Sequence, residues 1–485
     1  MPWGFYGRAD ELRLVSQIVG RNRWFFAKMT GRRRIGKTTL IQEAVRGAAK
    51  PIFYVQIPDS APAGVLSAIE DSMESFQIPL NRFASPARLS ELARFVGSLA
   101  RAGYIVVLDE FQYFNRAHLA PFCSSLQAEV DKLSASAHRV PGGLIVLGSI
   151  HTEMTALLED RSGPLFNRTT DEIELTHLDL GSVLEILREH ADVSPERLLF
   201  LWTLFEGVPK FYRDCYEQGV LGSDRQTLLR RIFFESSSPL RTEAENWFLK
   251  ELRGRYDVVL KFIARHSGCT HADLQQRVRQ VNGDRSEQVG GYLSLLVDRY
   301  RLIEKQLPIF SKPTARRTRY YLADNFLRAW LAALASSVAA LNFRPVEQLV
   351  ATANERLFEV EGKAFEKLIG HLYEERSRKG LGDFSLTQRI QGYWNRGGTE
   401  IDLVALNSAD KRIRFGSCKR SADRLLADVP LFDAHIERFL QEFPHYRAWT
   451  IERVSMAPTV PPEIRNQLVN RGQLVEDLGD LTDDL

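Results

Sequence analysis

Cysteine is scarce in this chain: there are four in 485 residues, Cys123, Cys215, Cys269 and Cys418, with no CxxC spacing among them. That scatter excludes a disulfide framework and a zinc knuckle, and it fits a reducing cytosol. Long apolar runs are missing as well. Nowhere do apolar residues continue for the roughly 18 positions needed to span a bilayer. The opening MPWGFYGRADEL has no basic segment leading into an apolar one. Neither secretion nor membrane insertion is expected, and the predicted location is cytoplasmic. An excess of one charge is also absent. The net formal charge of +3 says little about partners by itself, because a small total can hide a strongly polar distribution. The closing DLGDLTDDL reads as a short, solvated acidic end.

What is present is the balance of a globular protein, 44% hydrophobic and 26% charged. A chain of this length divides into about two to four cores. Its strongest local signal is WFFAKMTGRRRIGKTTLIQEAV, an apolar run leading into Gly31-x4-Gly36-Lys37-Thr38, with Thr39 following, and then a helical pattern. Strand, loop and helix in that order suit a phosphate cradle. The glycines let backbone amides curl around phosphate oxygens, the helix N-terminus adds its positive end, Lys37 reaches the terminal phosphates and Thr38 ligates Mg2+. The bland alternative is a glycine turn.

Two further strands weigh against that alternative. YIVVLDEFQYF, residues 104–114, is a buried-strand pattern ending in Asp109 and Glu110. Such a pair suits hydrolysis, with Asp109 in the magnesium shell and Glu110 polarising the attacking water. GGLIVLGS places Ser149 at a strand end, where it can sense the terminal phosphate or position water. PIFYVQI and DEIELTHL supply more strands, so the expected fold is α/β, a parallel sheet covered by helices with its site at the carboxyl ends.

FYGRADEL, GRRRIGKTTL, VVLDEF, GSIHTEM, GPLFNR and EGVPKFY together resemble the archaeal-type ATPases, relatives of AAA+ and STAND NTPases, over roughly the first half. The resemblance implies ATP and Mg2+ as ligands and places Arg8 on the adenine side. It also makes Arg168 similar to an arginine finger, against the alternative of a surface salt bridge. Lys210 lies in GVPK, which resembles a lid motif whose first glycine is replaced here by Glu206. Nucleotide sensing and a helix-starting proline turn are both open for it.

Residues 180–250 read as helical throughout, and the next stretch as three short helices and a two-stranded wing, a winged helix. Between 253 and 320 fourteen basic residues face six acids, a balance of +8. Such a concentration suits DNA phosphates, with packing or protein contact as the alternative. LADNFLRAWLAALASSVAALNF reads as an interdomain packing helix.

Near the C-terminus, EGKAFEKLIGHLYEE places Glu366 on a helix. GYWNRGGTEIDLVALNSADKRIRFGSCK reads as a hairpin turning near 409. That pairing sets Asp402 opposite 416 or 417 with Lys419 in diagonal reach, so Glu400, Asp402 and Lys419 can converge. The pattern resembles the PD-(D/E)xK nuclease-like domains that commonly end proteins of this ATPase family, which implies metal-assisted phosphodiester chemistry through Glu366, Asp402 and Lys419. Ser417 departs from it, standing where that family usually has glutamate. Metal affinity should fall, and Glu400 is the candidate substitute. A nuclease and a degenerate DNA-binding or structural module both remain open. For Lys419 alone, a solvated strand end is the plain reading.

The expected organisation is a P-loop ATPase domain over 1–178, a helical lid over 179–250, a winged-helix domain with packing helix over 251–345 and a nuclease-like domain over 346–485. The function read from it is a Mg2+-dependent ATPase acting on DNA, with ATP/ADP as ligand and a homo-oligomer left open. The alternative is a STAND-like nucleotide-gated switch working through protein contacts.

Overall fold

The computed structural model describes residues 2–48, 50–149, 151–244, 256–282, 288–312 and 317–485. Of the charged residues counted between 253 and 320, Arg253, Arg255, Asp284, Arg285, Glu287 and Arg316 lie outside these. The chain divides into two compact units, Gly7–His177 and Met1–Tyr6 with Leu178–Leu485.

In Gly7–His177 five strands form one parallel sheet: β1 (Phe26–Gly31), β2 (Ile52–Gln56), β3 (Ile105–Asp109), β4 (Gly143–Gly148) and β5 (Asp171–Leu175), in the order β2-β3-β4-β1-β5. Every residue of β3 and β4 is buried, which is why both read as unbroken apolar runs rather than alternating ones. The helices Leu89–Arg101 and Ala120–Ala135 pack on each other and into a core with Phe53, Phe95, Leu99, Val106, Leu108, Phe111 and Phe122. Each such side chain contributes about 1.5–3 kcal/mol on leaving water. Because β4 lies between β1 and β3, the strand before the glycine loop, the Ser149 strand and the acidic strand are consecutive in the sheet.

The second unit starts with helices, among them Leu180–His190, Pro195–Phe205 and Pro209–Glu217. Glu206 stands after the second in a backbone conformation that favours glycine, φ 51° and ψ −126°. Its carboxylate compensates by taking the Lys367 ammonium at 2.8 Å and the Asn325 N–H at 3.2 Å. Next come Asp257–Arg265, His271–Asn282 and Val289–Ser294, then an antiparallel hairpin of β6 (Ile303–Gln306) and β7 (Arg319–Leu322). Residues 325–339 continue as short helices, and among the described residues no helix is long and apolar enough to cross a membrane.

The helix Val346–Lys379 ends at Gly380 in the left-handed conformation (φ 69°). It leads to β8 (Gln391–Trp394), β9 (Glu400–Asn407), β10 (Arg412–Cys418), β11 (Thr450–Met456) and β12 (Leu474–Glu476), in the order β12-β11-β10-β9-β8. β8, β9 and β10 pair antiparallel, whereas β10, β11 and β12 pair parallel. The helix Ala422–Glu442 makes the crossover from β10 to β11. Its Phe432, Ile436 and Phe439, spaced for one helical face, meet Val404, Ile413 and Phe415 of the sheet.

On β10, Arg414 is 3% exposed and gathers Asp383, Glu452 and Glu476, at 2.6, 2.6 and 3.4 Å. The acidic tail is docked, not solvated. Leu478–Thr482 is a helix closed by an Asp477–Asp480 capping box, with Leu478 and Leu481 buried and the Leu481 carbonyl held by Arg376 at 2.8 Å.

Candidate functional site

The site in Gly7–His177 begins with two glycines. Gly31 has φ +152°, and a Cβ there would stand 2.6 Å from the Leu175 carbonyl of the neighbouring strand β5. Gly36 has φ 97° and caps the helix Lys37–Arg46, whose first turn carries Thr38 and Thr39. Between the glycines the chain curls so tightly that Lys37 Nζ donates back to the carbonyls of Gly31 (2.9 Å) and Arg32 (3.2 Å). Burial pushes the Lys37 ammonium down to about 8, although Glu110 and Asp109 pull the other way.

Asp109, at the end of β3, is buried and tied from three sides. Its Oδ2 accepts from Thr38 Oγ1 at 2.8 Å and from Tyr54 OH at 2.9 Å, and its Oδ1 from the Glu110 N–H at 2.8 Å. Burial, and then the charge of Asp109, hold the Tyr54 hydroxyl well above the usual phenol range. Glu110 turns out of the strand in the left-handed conformation, φ 54°. Its Oε2 accepts from Ser149 Oγ at 3.1 Å and, closely, from the Gln112 amide. Lys37, Thr38, Asp109, Glu110 and Ser149 therefore converge on the carboxyl ends of β1, β3 and β4. Tyr54 and Gln112 were not singled out by the sequence. The alternation of PIFYVQI around Tyr54, and the spacing of Gln112 two residues past Glu110, were the available signals.

Arg8 has φ 64°, pairs with Glu11 at 3.0 Å and contacts the Thr176 carbonyl. Arg168 grips Asp131 through two nitrogens, at 2.8 and 3.1 Å, so the salt-bridge alternative describes its position. Lys210 pairs along its own helix with Asp214 and, at 3.8 Å, with Glu217.

A second cluster lies in the C-terminal sheet. The register Gly416 to Leu403 brings Asp402 level with Ser417, as the hairpin reading requires. Asp402 Oδ2 accepts from the Cys418 N–H at 2.8 Å and from Lys419 Nζ at 3.2 Å. Burial raises the Glu366 carboxyl to about 7, against the pull of the adjoining Lys363. Asp428, which the sequence reading missed, faces the same strand end from the helix Ala422–Glu442. It takes the Ser417 hydroxyl at 2.7 Å and Lys419 at 3.3 Å. Burial opposes charge on Lys419, but Asp402 and Asp428 outweigh it and keep the ammonium protonated above the ordinary lysine range.

Glu400 feels the charges of Lys363 and Lys419, but its side-chain hydrogen bonds go to Arg319. Arg319 takes both its oxygens, at 2.7 and 3.1 Å, and stacks over Trp394. Arg317 reaches Glu442 at 3.5 Å, so these two hairpin arginines are spent on carboxylates of the C-terminal sheet domain. Glu366 pairs with Lys363, while Asp402 and Asp428 share Lys419. Among the described residues no set of three or more His, Cys, Asp or Glu is arranged to hold a metal ion.

A family described as archaea bacterial proteins of unknown function (DUF234) matches residues 330–429, a span holding Glu366, Asp402, Lys419 and Asp428. An uncharacterized protein of Methanocaldococcus jannaschii is 23% identical over 423 residues, 86% of this chain and 87% of that one. Among solved structures, a Walker-type ATPase of Pyrococcus abyssi aligns at 17% identity with a TM-score of 0.52, over 67% of this chain and 96% of its own. An ORC2 protein of Aeropyrum pernix, solved with ADPNP and ADP, aligns at 16% identity and TM-score 0.44, over 74% of this chain and 95% of its own. The Pyrococcus likeness is one of fold, an α/β unit whose parallel sheet runs in the order β2-β3-β4-β1-β5.

Proposed function

We propose that this chain is a magnesium-dependent ATPase. The observation that carries the reading is the 2.8 Å contact between Thr38 and Asp109, which brings the hydroxyl after the loop lysine to the strand-end carboxylate across 71 residues. Thr38 and Asp109 would hold Mg2+, which commonly takes one or two protein oxygens and the substrate phosphates. Bound there, the ion would offset phosphate charge. Gly31 and Gly36 open the loop amides to the phosphates, Lys37 compensates their charge, Glu110 takes the proton of the attacking water and Ser149 orients Glu110. Arg8 is assigned to the adenine side. Arg168 would sense the γ-phosphate only after leaving Asp131. Lys210 is read as the start of its helix.

Calorimetry tests this through protons. Lys37 must be charged to hold phosphate, but in the free protein it is half neutral at about pH 8. ATP should therefore bind with proton uptake above that pH, and its affinity should fall by up to about tenfold per unit. Heats measured in buffers of different ionisation enthalpy read the uptake. No heat from millimolar ATP removes the reading, and no uptake at pH 9 removes only the lowered Lys37 value.

The partner proposed is DNA. Arg265, Arg277 and Arg279 are exposed on the first two helices, Arg299 on the turn Leu295–Arg299 after the third, Lys305 on β6 and Lys312 beyond it, a segment we read as a winged helix. We read the C-terminal sheet as a nuclease-like fold that binds without cutting, because Ser417 stands where the pattern usually has a metal-holding glutamate. The engagement of Arg317 and Arg319 favours a second reading, a nucleotide-gated switch acting on proteins. Duplex affinity that falls steeply with salt, on plasmid left intact in Mg2+ or Mn2+, is the expected result. Nicking would overturn the non-cutting assignment, and absence of duplex affinity would favour the switch.

A further inference from the structure

Gln112 is 2% exposed, and the roles assigned so far do not use it. One end of its amide donates closely to Glu110 Oε2 and lies 3.4 Å from Ser149 Oγ. The other end, Oε1, is buried with no hydrogen-bond partner. A buried carbonyl oxygen left without a donor is costly, about 1–3 kcal/mol, and is commonly explained by a group absent from the protein itself. Reversing the amide would set its oxygen against the Glu110 carboxylate, so the orientation is dictated by its neighbours.

We infer that Gln112 is a positioning residue for hydrolysis: it fixes the Glu110 carboxylate through its N–H, and its vacant oxygen is matched to a donor such as the attacking water. This rests on the ATPase reading above. In the reaction, the water oxygen bonds the γ-phosphorus and one water proton passes to Glu110. The bond from that phosphorus to the bridging oxygen breaks, its electron pair leaving on ADP. Glu110 accepts the proton only if its free lone pair faces the water, and Gln112 with Ser149 occupies the other oxygen.

The test uses the full chain with Gln112→Met, which keeps length and bulk but cannot donate, and Gln112→Glu, which sets like charges together. Both should bind ATP as the native chain does while kcat falls about ten- to hundredfold, the scale of misplacing a reacting group. Retained ATP binding reports that the variants are folded. In a Glu110→Gln background, Gln112→Met should lower kcat no further, because the two residues act as one unit. Unchanged kcat in both variants, or the same loss with Glu110 already replaced, overturns the role of Gln112. A native chain that binds but never hydrolyses ATP overturns the underlying reading, and Gln112 with it.

Discussion

Glu110→Gln should bind ATP as tightly as the native chain and turn it over about 100- to 10,000-fold more slowly, the usual contribution of a positioned general base. The substitution is nearly isosteric. A glutamine at 110 keeps an oxygen that can accept from Ser149, which reaches Oε2 at 3.1 Å, and from Gln112. The loop, the Lys37 contacts and the Thr38–Asp109 pair are untouched. What disappears is the ability to take a proton, so the loss should fall on kcat. Nucleotide titration with steady-state phosphate release separates the two effects, and undiminished turnover would remove Glu110 from the role of base.

Arg414→Met is expected to cost about 3–5 kcal/mol of stability, because it takes the buried guanidinium away from Glu476 and leaves Glu452 only the more exposed Arg412. Arg414 lies on β10 with its side chain 3% exposed. Glu452 (13%) and Glu476 (21%) are themselves largely buried, and the Tyr373 hydroxyl adds a contact at 3.3 Å. Methionine replaces the bulk but none of the donors. Arg412 provides the contrast: it pairs with the same Glu452 at 2.6 Å, but its side chain is 26% exposed. Arg412→Met should therefore cost about 1 kcal/mol or less. Denaturant unfolding, followed by hydrogen exchange on β10 and β11, distinguishes the pair. Equal losses would show that burial does not set the cost.

The glycine loop was legible because its geometry is written in backbone chemistry. Gly31 and Gly36 occur where a side chain would collide or strain the chain, and Lys37 and Thr38 follow by spacing alone. The buried strands were equally plain from their unbroken apolar runs. The hairpin register was readable too, since its turn fixes which residues face each other, and it delivered Asp402 beside Lys419.

The failures share another cause. Asp428 meets Ser417 from a helix eleven residues further on, and no periodicity links the two. Glu400 shares a strand with Asp402, but Arg319 holds it, a partner 81 residues away. The hairpin arginines were counted as free charge. Charge counting gives the sum but not the pairing, and Arg317 and Arg319 were already neutralised. Arg168 illustrates the same limit, because its Asp131 lies 37 residues away on the helix Ala120–Ala135. Which long side chain reaches which is decided by tertiary placement, after local pattern has done its part.

The hydrogen bonds from Lys37 to the Gly31 and Arg32 carbonyls have a kinetic consequence. An ammonium bridging its own loop keeps that loop in its curled form before any triphosphate arrives. Nucleotide capture then needs one side chain to swing from carbonyl oxygens to phosphate oxygens, a rotamer change on the scale of nanoseconds, with no folding of the loop on the way. Association with ATP should accordingly run at the rate of diffusional encounter, and differences in affinity among loop variants should surface as differences in residence time.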